Sequence, residues 1–511
     1  MLSRVRTASL NGMEARLVDV ETDITRGLPN MNIIGLGDAT VKEAVARIRS
    51  SILSSKLEFP NERITINLAP AWLRKRGSHY DLGMGIGILC STGQIPSSQI
   101  IETAFLGELS LSGGINRCNG IMPMVKTIRN SGIKKVIVPI SNLEEASLVE
   151  GIHILGASTL MDVVNYLNGK ENRLVDADPK DVNDSGKYET TLDYLDIKGQ
   201  EHAKRAVVIA ASGGHGLMMI GSPGTGKTMI AERLPYIMPP LSKEEITELT
   251  AIYSIAGLLD DENQIITKRP FRNPGMSITI PGLLGAGVPP RPGEVTLAHK
   301  GVLFMDELGE RGRDLIDCLR IPLESKNVSI NRMGEVYRYP ADFMFVTATN
   351  PCKCGHYGDP RKECTCSPRE LQAYRSRISG PILGRIDIHV ELMSPEFDDL
   401  TKMKGKSSEE MRNEILKARE IQKERYLKYK KSSVSSIRLN GELEDSLVDE
   451  VCKMSNEASK LFSQAYDSMN LEPRSATKIK KISRTIADLE GEKTIDVRHV
   501  AEALQYRERS R

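Results

Sequence analysis

One short segment carries residues spaced to hold a nucleoside triphosphate. In "GSPGTGKT", Gly221 is followed after four residues by Gly226, Lys227 and Thr228, which is the P-loop spacing. Glycines let backbone N–H groups turn inward around phosphate oxygens, Lys227 can reach the β- and γ-phosphates, and Thr228 can ligate Mg²⁺. The predicted site for ATP and Mg²⁺ consists of Gly221, Ser222, Pro223, Gly224, Thr225, Gly226, Lys227 and Thr228.

The context of this segment supports the same chemistry. An apolar run, Leu217 to Ile220, predicts a strand before it, and "TMIAERL" predicts a helix after it. That helix would point its positive end at the bound anion. The alternative is a Gly-rich turn that binds nothing, and the strand and helix in register argue against it.

Two further strand ends offer polar groups for the same reaction. The buried run Val302 to Met305 ends in Asp306 and Glu307. Asp306 would hold Mg²⁺, and Glu307 would orient or deprotonate the attacking water. A third apolar run, "FMFVTAT", ends in Asn350, whose amide could position that water. The alternatives are a solvated acidic turn and an Asn that only begins a turn before Pro351.

Half of the eight cysteines follow Asn350 in "NPCKCGHYGDPRKECTCSP". Two Cys-x-Cys pairs could converge on tetrahedral Zn²⁺ through Cys352, Cys354, Cys364 and Cys366. Cys-x-Cys is tighter than the usual Cys-x₂-Cys, and His356 could replace one thiolate. The alternative is four reduced cysteines in an ordinary loop. Four cysteine ligands leave no open coordination position, so a metal here would be structural.

The elements that must position these residues predict an α/β protein of several domains. Strands and helices alternate before the polar stretch 171–191 and again after Leu192, and a charged helix follows, with Ser407 and Glu410 spaced as a capping box. The predicted division is 1–170, an α+β N-terminal domain; 171–191, a linker; 192–395, the ATPase core with a cysteine knuckle at 352–366; and 396–511, a helical lid and C-terminal domain.

Composition limits where partners could bind. The chain has 511 residues, 69 Lys and Arg against 67 Asp and Glu, and a net charge of +2. Any nucleic-acid site must therefore be local, because the molecule as a whole has no strong basic field. No apolar run long enough to span a membrane occurs, and the first residues lack the apolar stretch of a signal peptide. We expect a cytoplasmic protein without a membrane partner.

Several segments together resemble one known family. "GSPGTGKT", "PRPGEVTLAHKGVLFMDEL", "TNPCKCGHYGDPRKECTCSP" and "GRIDIHVEL" are similar to the YifB/ComM group of magnesium-chelatase-like AAA+ ATPases. The first 170 residues, above all "LAPAWLRKRGSHYDLGMGIGIL", resemble that family's Lon-protease-like N-terminal domain. The resemblance covers nearly the whole chain. It implies a P-loop AAA+ parallel-sheet module with a helical lid behind a Lon-like α+β domain.

The resemblance also implies an assembly and further site residues. A homo-hexamer would bind ATP between subunits, and Arg385 of a neighbouring subunit would contact the γ-phosphate. Arg377 and Arg375 match this family position less well. Arg474 matches an arginine that reads the nucleotide state, although Pro473 stands where a small residue is expected. Gly199-Gln200 matches the segment near adenine, with a simple helix cap as the alternative. Any of these arginines could instead be an ordinary surface residue.

The same family suggests what the motor acts on. The segments 271–295 and 327–340 carry Arg272, Arg291, Arg332 and Arg338, and repetition around a ring would give a positive pore that tracks DNA. Contact between subunits is the alternative role. ComM-like members imply DNA branch migration or helicase activity during natural transformation. The alternative function is a chelatase-like ATPase that remodels a protein partner. A peptidase is disfavoured, because "DLGMGIG" offers no Ser where a Lon-type nucleophile is expected.

Overall fold

The structure is a computed structural model, and it describes residues 2–178, 192–332, 334–394, 405–428 and 438–507. Most of the predicted linker and the predicted boundary at 395/396 lie outside the described residues. None of the described helices is long and apolar enough to cross a membrane.

The first part of the chain forms a mixed sheet. Its strand Glu14–Thr25 alternates more and less buried residues along "ARLVDVETDI", as a strand with one buried face does. The strands of this part are β1 Ser3–Asn11, β2 Glu14–Thr25, β3 Asn30–Ile34, β4 Arg63–Ala69, β5 Thr103–Phe105, β6 Glu108–Leu109, β7 Ile115–Asn116, β8 Lys135–Pro139, β9 His153–Ala157 and β10 Val175–Asp176. Eight of them form one sheet in the order β10-β9-β8-β5-β1-β2-β4-β3.

Helices cover this sheet. The helix Asp81–Ser91 lies against β1 and β2, and its residues up to Cys90 are all buried. Small residues allow this: a Cβ at Gly87 would lie 2.5 Å from the Thr22 hydroxyl oxygen, so only glycine permits this approach to the sheet. The other helices here are Ala39–Ser54, Ile121–Asn130, Leu143–Ser147 and Leu160–Leu167.

The second part contains a parallel sheet that carries the P-loop. Its strands are short and buried, as expected where helices cover both faces. The strands from here on are β11 Leu217–Gly221, β12 Phe271–Arg272, β13 Gly285–Gly287, β14 Pro290–Pro292, β15 Val302–Met305, β16 Asn327–Arg332, β17 Glu335–Pro340, β18 Met344–Thr349 and β19 Ile388–Leu392. The sheet order is β12-β15-β18-β11-β19, and every neighbouring pair is parallel.

Helices surround this second sheet and form the C-terminal part. The predicted capping box is confirmed, because Ser407 accepts from the Glu410 N–H and the Glu410 carboxylate accepts from the Ser407 N–H. The helices are Glu201–Gly213, Lys227–Glu232, Leu234–Ile237, Lys243–Ala256, Ile280–Leu284, Glu294–Leu297, Arg313–Asp317, Arg320–Ser325, Pro368–Arg375, Gly380–Leu383, Ser408–Leu427, Asp445–Val451, Asn456–Ser468, Pro473–Leu489 and Val497–Gln505.

The hydrophobic cores show how the parts meet. One cluster draws only on residues between Val5 and Leu174, and another only on residues between Tyr194 and Tyr506. A third cluster crosses between them, because Ile246 and Ala251 pack with residues of the first part. The helix Lys243–Ala256 therefore joins the two sheets into one packed structure.

Candidate nucleotide-binding and hydrolysis site

The predicted phosphate-binding segment forms the turn between β11 and the helix Lys227–Glu232. Gly224 and Gly226 have φ of +82° and +90°, a region that residues with a Cβ rarely adopt. Among the described residues, no atom lies within 4 Å of a Cβ built at either position. Backbone conformation, not crowding, therefore requires glycine in this turn.

Lys227 folds back over the turn. Its ammonium donates to the carbonyl oxygens of Gly221 at 2.7 Å and Ser222 at 3.0 Å. It also lies 3.4 Å from the amide oxygen of Asn350. Burial lowers the pKa of Lys227, and the two carboxylates after β15 oppose that shift. The positive charge of Lys227 is therefore held inside the site, next to Asn350, which follows β18.

Thr228 and Asp306 come together at the edge of the sheet. The Thr228 hydroxyl donates to Asp306 Oδ2 at 3.1 Å. Parallel pairing of β15, β18 and β11 brings the end of β15 beside the P-loop. A hydroxyl and a carboxylate are hard oxygen donors of the kind Mg²⁺ prefers. These two side chains fit a magnesium ion that also binds substrate phosphates.

Glu307 follows Asp306 in an unusual backbone conformation. Its φ is +49°, which is rare for a residue with a side chain and costs about 1–3 kcal/mol. Its N–H donates to Asp306 Oδ1 at 2.8 Å, and its side chain is exposed. Such strain clusters at functional sites.

Asn350 follows β18, which lies between β15 and β11 in the sheet. Thr349 pairs with Ile220 in the register of β18 and β11, so Asn350 emerges at the level of the P-loop. The structure thus brings Lys227, Thr228, Asp306 and Asn350 to one edge of the sheet, with Glu307 beside them.

Arg311 is part of this arrangement and sequence reasoning missed it. Arg311 is 4% exposed. Its guanidinium donates to the carbonyl oxygens of Asp306 at 3.0 Å, Gly275 at 3.1 Å and Pro274 at 2.7 Å. It therefore fixes the backbone of the acidic turn to the segment after β12. The available signal was an arginine five residues after Asp306 in "DELGER".

Gln200 reaches the phosphate loop from the preceding segment. Its side-chain amide donates to the Thr225 carbonyl at 3.2 Å and the Met393 carbonyl at 2.6 Å. Gly199 and Gln200 both have positive φ. A simple helix cap does not account for the Gln200 side chain, because that side chain makes no cap hydrogen bond to the helix Glu201–Gly213. This residue links the loop to the end of β19.

Arg385 lies at the opposite edge of the sheet from the P-loop of its own chain. Leu217 pairs with Ile388 at the start of both strands, so Arg385 precedes the amino end of β19. Its guanidinium pairs with Glu324 at 2.6 Å and donates to the Pro381 carbonyl at 2.8 Å. This placement separates it from the nucleotide site of the same subunit.

Arg474 lies beside Arg385. Pro473 occupies the first turn of the helix Pro473–Leu489, where proline is favourable, so it does not disturb the start of the helix. The Arg474 guanidinium is 3.2 Å from a Cβ built at Gly384. The two less favoured arginines lie elsewhere: Arg377 pairs with Glu310 at 3.0 Å, and Arg375 stacks on the Tyr357 ring at 4.9 Å.

The four cysteines after Asn350 converge on one point. All four Sγ atoms lie within 4.8 Å of one another. Cys352 is 3.3 Å from Cys354 and 3.7 Å from Cys364, and Cys354 is 3.6 Å from Cys364. Sulfurs at about 2.3 Å from one tetrahedral Zn²⁺ would be separated by roughly 3.8 Å. The observed separations therefore suit a single ion. His356 does not join the cluster but contacts Asp359 at 3.4 Å.

The two inserted segments form hairpins that pack together. β13 pairs with β14, and β16 pairs with β17. The Tyr339 hydroxyl donates to the Pro290 carbonyl at 2.6 Å, which joins them. Met333, which follows β16, lies outside the described residues. Arg291, Arg332 and Arg338 are exposed.

Arg272 differs from the other basic residues of the inserts. It lies in β12 and makes two hydrogen bonds to Glu294, at 2.6 and 2.7 Å. Its charge is therefore neutralised within the subunit. It is a bracing residue of the sheet edge and not a hairpin tip.

In the N-terminal segment that resembles Lon, the buried charged side chains contact other residues of the same domain. Asp81 is fully buried and pairs with Arg47 at 2.6 Å, and burial raises the pKa of Asp81 to about 6. Lys75 is buried and donates to the Pro70 carbonyl. Asp81 and Lys75 therefore make structural contacts within this domain.

Together, a parallel sheet with a P-loop, an acidic strand end and a third polar strand end defines the class of P-loop ATPases. Three family descriptions match the chain: "Magnesium chelatase, subunit ChlI" at residues 193–400, "Subunit ChlI of Mg-chelatase" at 20–142, and "Magnesium chelatase, subunit ChlI C-terminal" at 405–507. The fold is a mixed α/β AAA+ module with a helical lid, preceded by a Lon-like domain.

Individual relatives narrow this class. The chain is 39% identical to competence protein ComM of Haemophilus influenzae, over 99% of this chain and 97% of the relative. It is 37% identical to YifB of Escherichia coli, over 99% and 97%. Archaeal Lon protease of Methanocaldococcus jannaschii is 25% identical over 31% of this chain and 23% of its own length. The chain belongs to the ComM/YifB family of magnesium-chelatase-like AAA+ ATPases, which implies ATP and Mg²⁺ as cofactors.

Proposed function

We propose that this protein is an ATP-hydrolysing ring motor that acts on DNA, by branch migration or strand separation during uptake and recombination of transforming DNA. The observation that carries the proposal is the convergence of Lys227, Thr228 and Asp306 in a chain similar over its full length to a competence protein. The geometry supports ATP turnover, and the relative supports the choice of DNA as substrate.

Each residue of the site has a proposed role. Lys227 exchanges its two carbonyl acceptors for β- and γ-phosphate oxygens. Thr228 and Asp306 would hold Mg²⁺, which would supply positive charge to offset that of the phosphates. Glu307 accepts the proton of the attacking water, and Asn350 positions that water, since its amide lies beside Lys227.

Arg385 and Arg474 act on the nucleotide of the neighbouring subunit. Both lie at the amino edge of the sheet, whereas the P-loop lies at the carboxyl edge. A ring, which we propose to be a hexamer, would present this edge to the next P-loop. A guanidinium there stabilises negative charge that develops on the γ-phosphate.

The paired hairpins are the proposed contact with DNA. Arg291, Arg332 and Arg338 are exposed, and Val288 at the tip of β13–β14 is 64% exposed. In a ring, every subunit would add its exposed arginines to the same region. Positive charge would be concentrated there, although each chain has a net charge of only +2. Phosphate contacts of this kind give sequence-independent, salt-sensitive binding.

A second candidate function is an ATPase that remodels a protein partner. The three family descriptions that match the chain, all of magnesium chelatase subunit ChlI, favour it. The two functions differ in what stimulates hydrolysis: DNA in the first, a protein partner in the second.

An ATPase assay across DNA structures tests the proposal. We expect single-stranded and branched DNA to stimulate hydrolysis several-fold, and strand displacement to vanish with Lys227→Ala. If DNA neither binds nor stimulates, the action on DNA is wrong; if the protein retains no ATP, the ATPase site itself is wrong.

We also propose that the four cysteines hold a structural Zn²⁺, since their sulfurs are separated by distances near those of a tetrahedral site. Reduced thiolates of this kind suit the cytoplasmic location we propose. One equivalent of zinc per chain, measured by elemental analysis and lost in Cys364→Ser/Cys366→Ser, is expected.

A further inference from the structure

The cysteine knuckle, residues 352–366, is packed directly on the phosphate loop. Gly355 is buried, and a Cβ built on it would lie 2.9 Å from Cδ of Pro223. Its φ of +86° also requires glycine. The backbone of the knuckle therefore touches the second residue after Gly221, with no room for a side chain between them.

A polar contact joins the same two segments. The Ser222 hydroxyl bonds to the carboxylate of Asp359, whose side chain is 8% exposed. Asp359 also accepts from the Arg361 N–H at 2.9 Å and contacts His356 at 3.4 Å. The Asp359 carboxylate thus contacts donors of the knuckle on one side and Ser222 of the P-loop on the other.

The outer side of the knuckle contacts the helix Pro368–Arg375. The Arg375 guanidinium lies 4.9 Å from the centre of the Tyr357 ring. Arg375 ends the helix Pro368–Arg375, and the Tyr374 hydroxyl is 3.3 Å from that of Thr349 at the end of β18. The knuckle therefore bridges the P-loop and the strand that carries Asn350.

The knuckle also forms one wall of the adjoining cleft, which has a volume of about 820 Å³. P-loop residues line it together with knuckle residues, including Gly221, Ser222, Tyr357, Gly358 and Asp359. A ligand held by the phosphate loop would border this wall.

We propose that the knuckle is a metal-dependent clamp on the nucleotide pocket, so that Zn²⁺ bound by the four cysteines sets the affinity for ATP. This inference rests on the proposed ATPase function and the proposed zinc. Only Cys352 and Gly355 of the knuckle are buried, so its apolar packing is too small to fix one conformation, and metal binding supplies that order. Without the metal, the contacts to Pro223 and Ser222 loosen and the phosphate loop loses its support.

Two glycines allow a matched test in the full-length protein. Gly355 and Gly358 both lie in the knuckle with positive φ, of +86° and +80°. No described atom lies within 4 Å of a Cβ at Gly358, in contrast to the 2.9 Å contact at Gly355. Gly355→Ala should weaken binding of a fluorescent ATP analogue about tenfold, while Gly358→Ala changes it about twofold or less. Both variants should retain one zinc.

A second comparison removes the metal. Cys364→Ser/Cys366→Ser should lose zinc and bind the analogue at least about tenfold more weakly. Cys318→Ser, outside the cluster, should keep both properties. Equal nucleotide affinity in Gly355→Ala and Gly358→Ala, or full affinity in the zinc-free variant, overturns the clamp while leaving the ATPase proposal intact. Failure of the unaltered protein to bind the analogue overturns both.

Discussion

At the scale of single residues, Lys227 is held by acceptors that a phosphate can replace. Its ammonium contacts two loop carbonyls and Asn350, and burial lowers its pKa. Lys227→Ala removes the charge from a site built for a triphosphate. We expect nucleotide affinity to fall about 100-fold, measured by fluorescence titration. Lys198→Ala is the control, and unchanged affinity in Lys227→Ala would contradict the role.

Glu307 differs from Lys227 because its proposed role, accepting a proton from the attacking water, begins only after ATP has bound. It is exposed and anchored by its backbone to Asp306, so Glu307→Gln keeps the shape of the turn and removes only the proton acceptor. We expect ATP affinity to change less than about threefold and turnover to fall by about 100-fold or more. Single-turnover hydrolysis measures this. The exposed Glu310→Gln, three residues on, serves as the comparison, and a Glu307→Gln enzyme that turns over normally would rule out the assignment.

At the scale of elements, the hairpin β16–β17 allows the proposed DNA contact to be tested separately from nucleotide chemistry. Arg332 and Arg338 are exposed on it, whereas Arg272 is neutralised by Glu294. Arg332→Ala/Arg338→Ala should weaken binding to single-stranded DNA about tenfold and reduce its salt dependence, with basal ATPase activity unchanged. Exposed Arg313→Ala is the control. If Arg313→Ala weakens DNA binding as much as Arg332→Ala/Arg338→Ala does, the hairpin is not the DNA contact.

The helix Lys243–Ala256 carries a pH-dependent contact between the two parts of the chain. Ser254 donates to Glu145 at 3.2 Å, Arg117 lies 3.7 Å away, and Oε2 of Glu145 is buried without a hydrogen bond among the described residues. Burial raises the pKa of Glu145 from 4.5 to about 7. The folded protein therefore binds more protons than the unfolded chain across that interval, and this contribution to stability is lost as pH rises from 4.5 to 7.

Glu145→Gln tests this contact because the amide mimics the protonated acid. We expect the variant to have a thermal midpoint a few degrees higher than the unaltered protein at pH 8, and equal to it at pH 5. Differential scanning calorimetry at the two pH values measures the difference. A variant destabilised at both would show instead that the carboxylate is needed as the partner of Arg117.

Elements with a strong local pattern could be predicted from the sequence. β15 was found at Val302–Met305, and the capping box at Ser407 was exact in its partners. Where the local pattern is weaker the helix is short: in the helix-like stretch 142–151 only Leu143–Ser147 is α-helical. Arg311 was missed although it lies five residues after Asp306, because its acceptors Pro274 and Gly275 are distant in sequence. The close approach of Gly355 to Pro223 was not predictable, since it also forms only in the folded chain.

At the scale of the whole molecule, the structure separates the two halves of the proposed catalytic machinery. The first part and the ATPase core have largely separate hydrophobic cores, and we retain the division at the linker 171–191 as a proposal. Within the core, the phosphate loop and Arg385 lie at opposite edges of one sheet. Under the proposed role of Arg385, the P-loop of one subunit is therefore completed by the arginine of a neighbouring subunit.

This separation makes a prediction that a monomeric ATPase cannot satisfy. Lys227→Ala disables the P-loop of a subunit but leaves its arginine, and Arg385→Ala does the reverse. Each variant alone should be nearly inactive. In rings mixed at equal proportions, about a quarter of the interfaces join an intact P-loop to an intact arginine, so about a quarter of the activity should return. Steady-state ATPase assays of premixed proteins measure it, with either variant mixed with buffer as the control. If mixing restores nothing although the subunits exchange, Arg385 does not act across the interface.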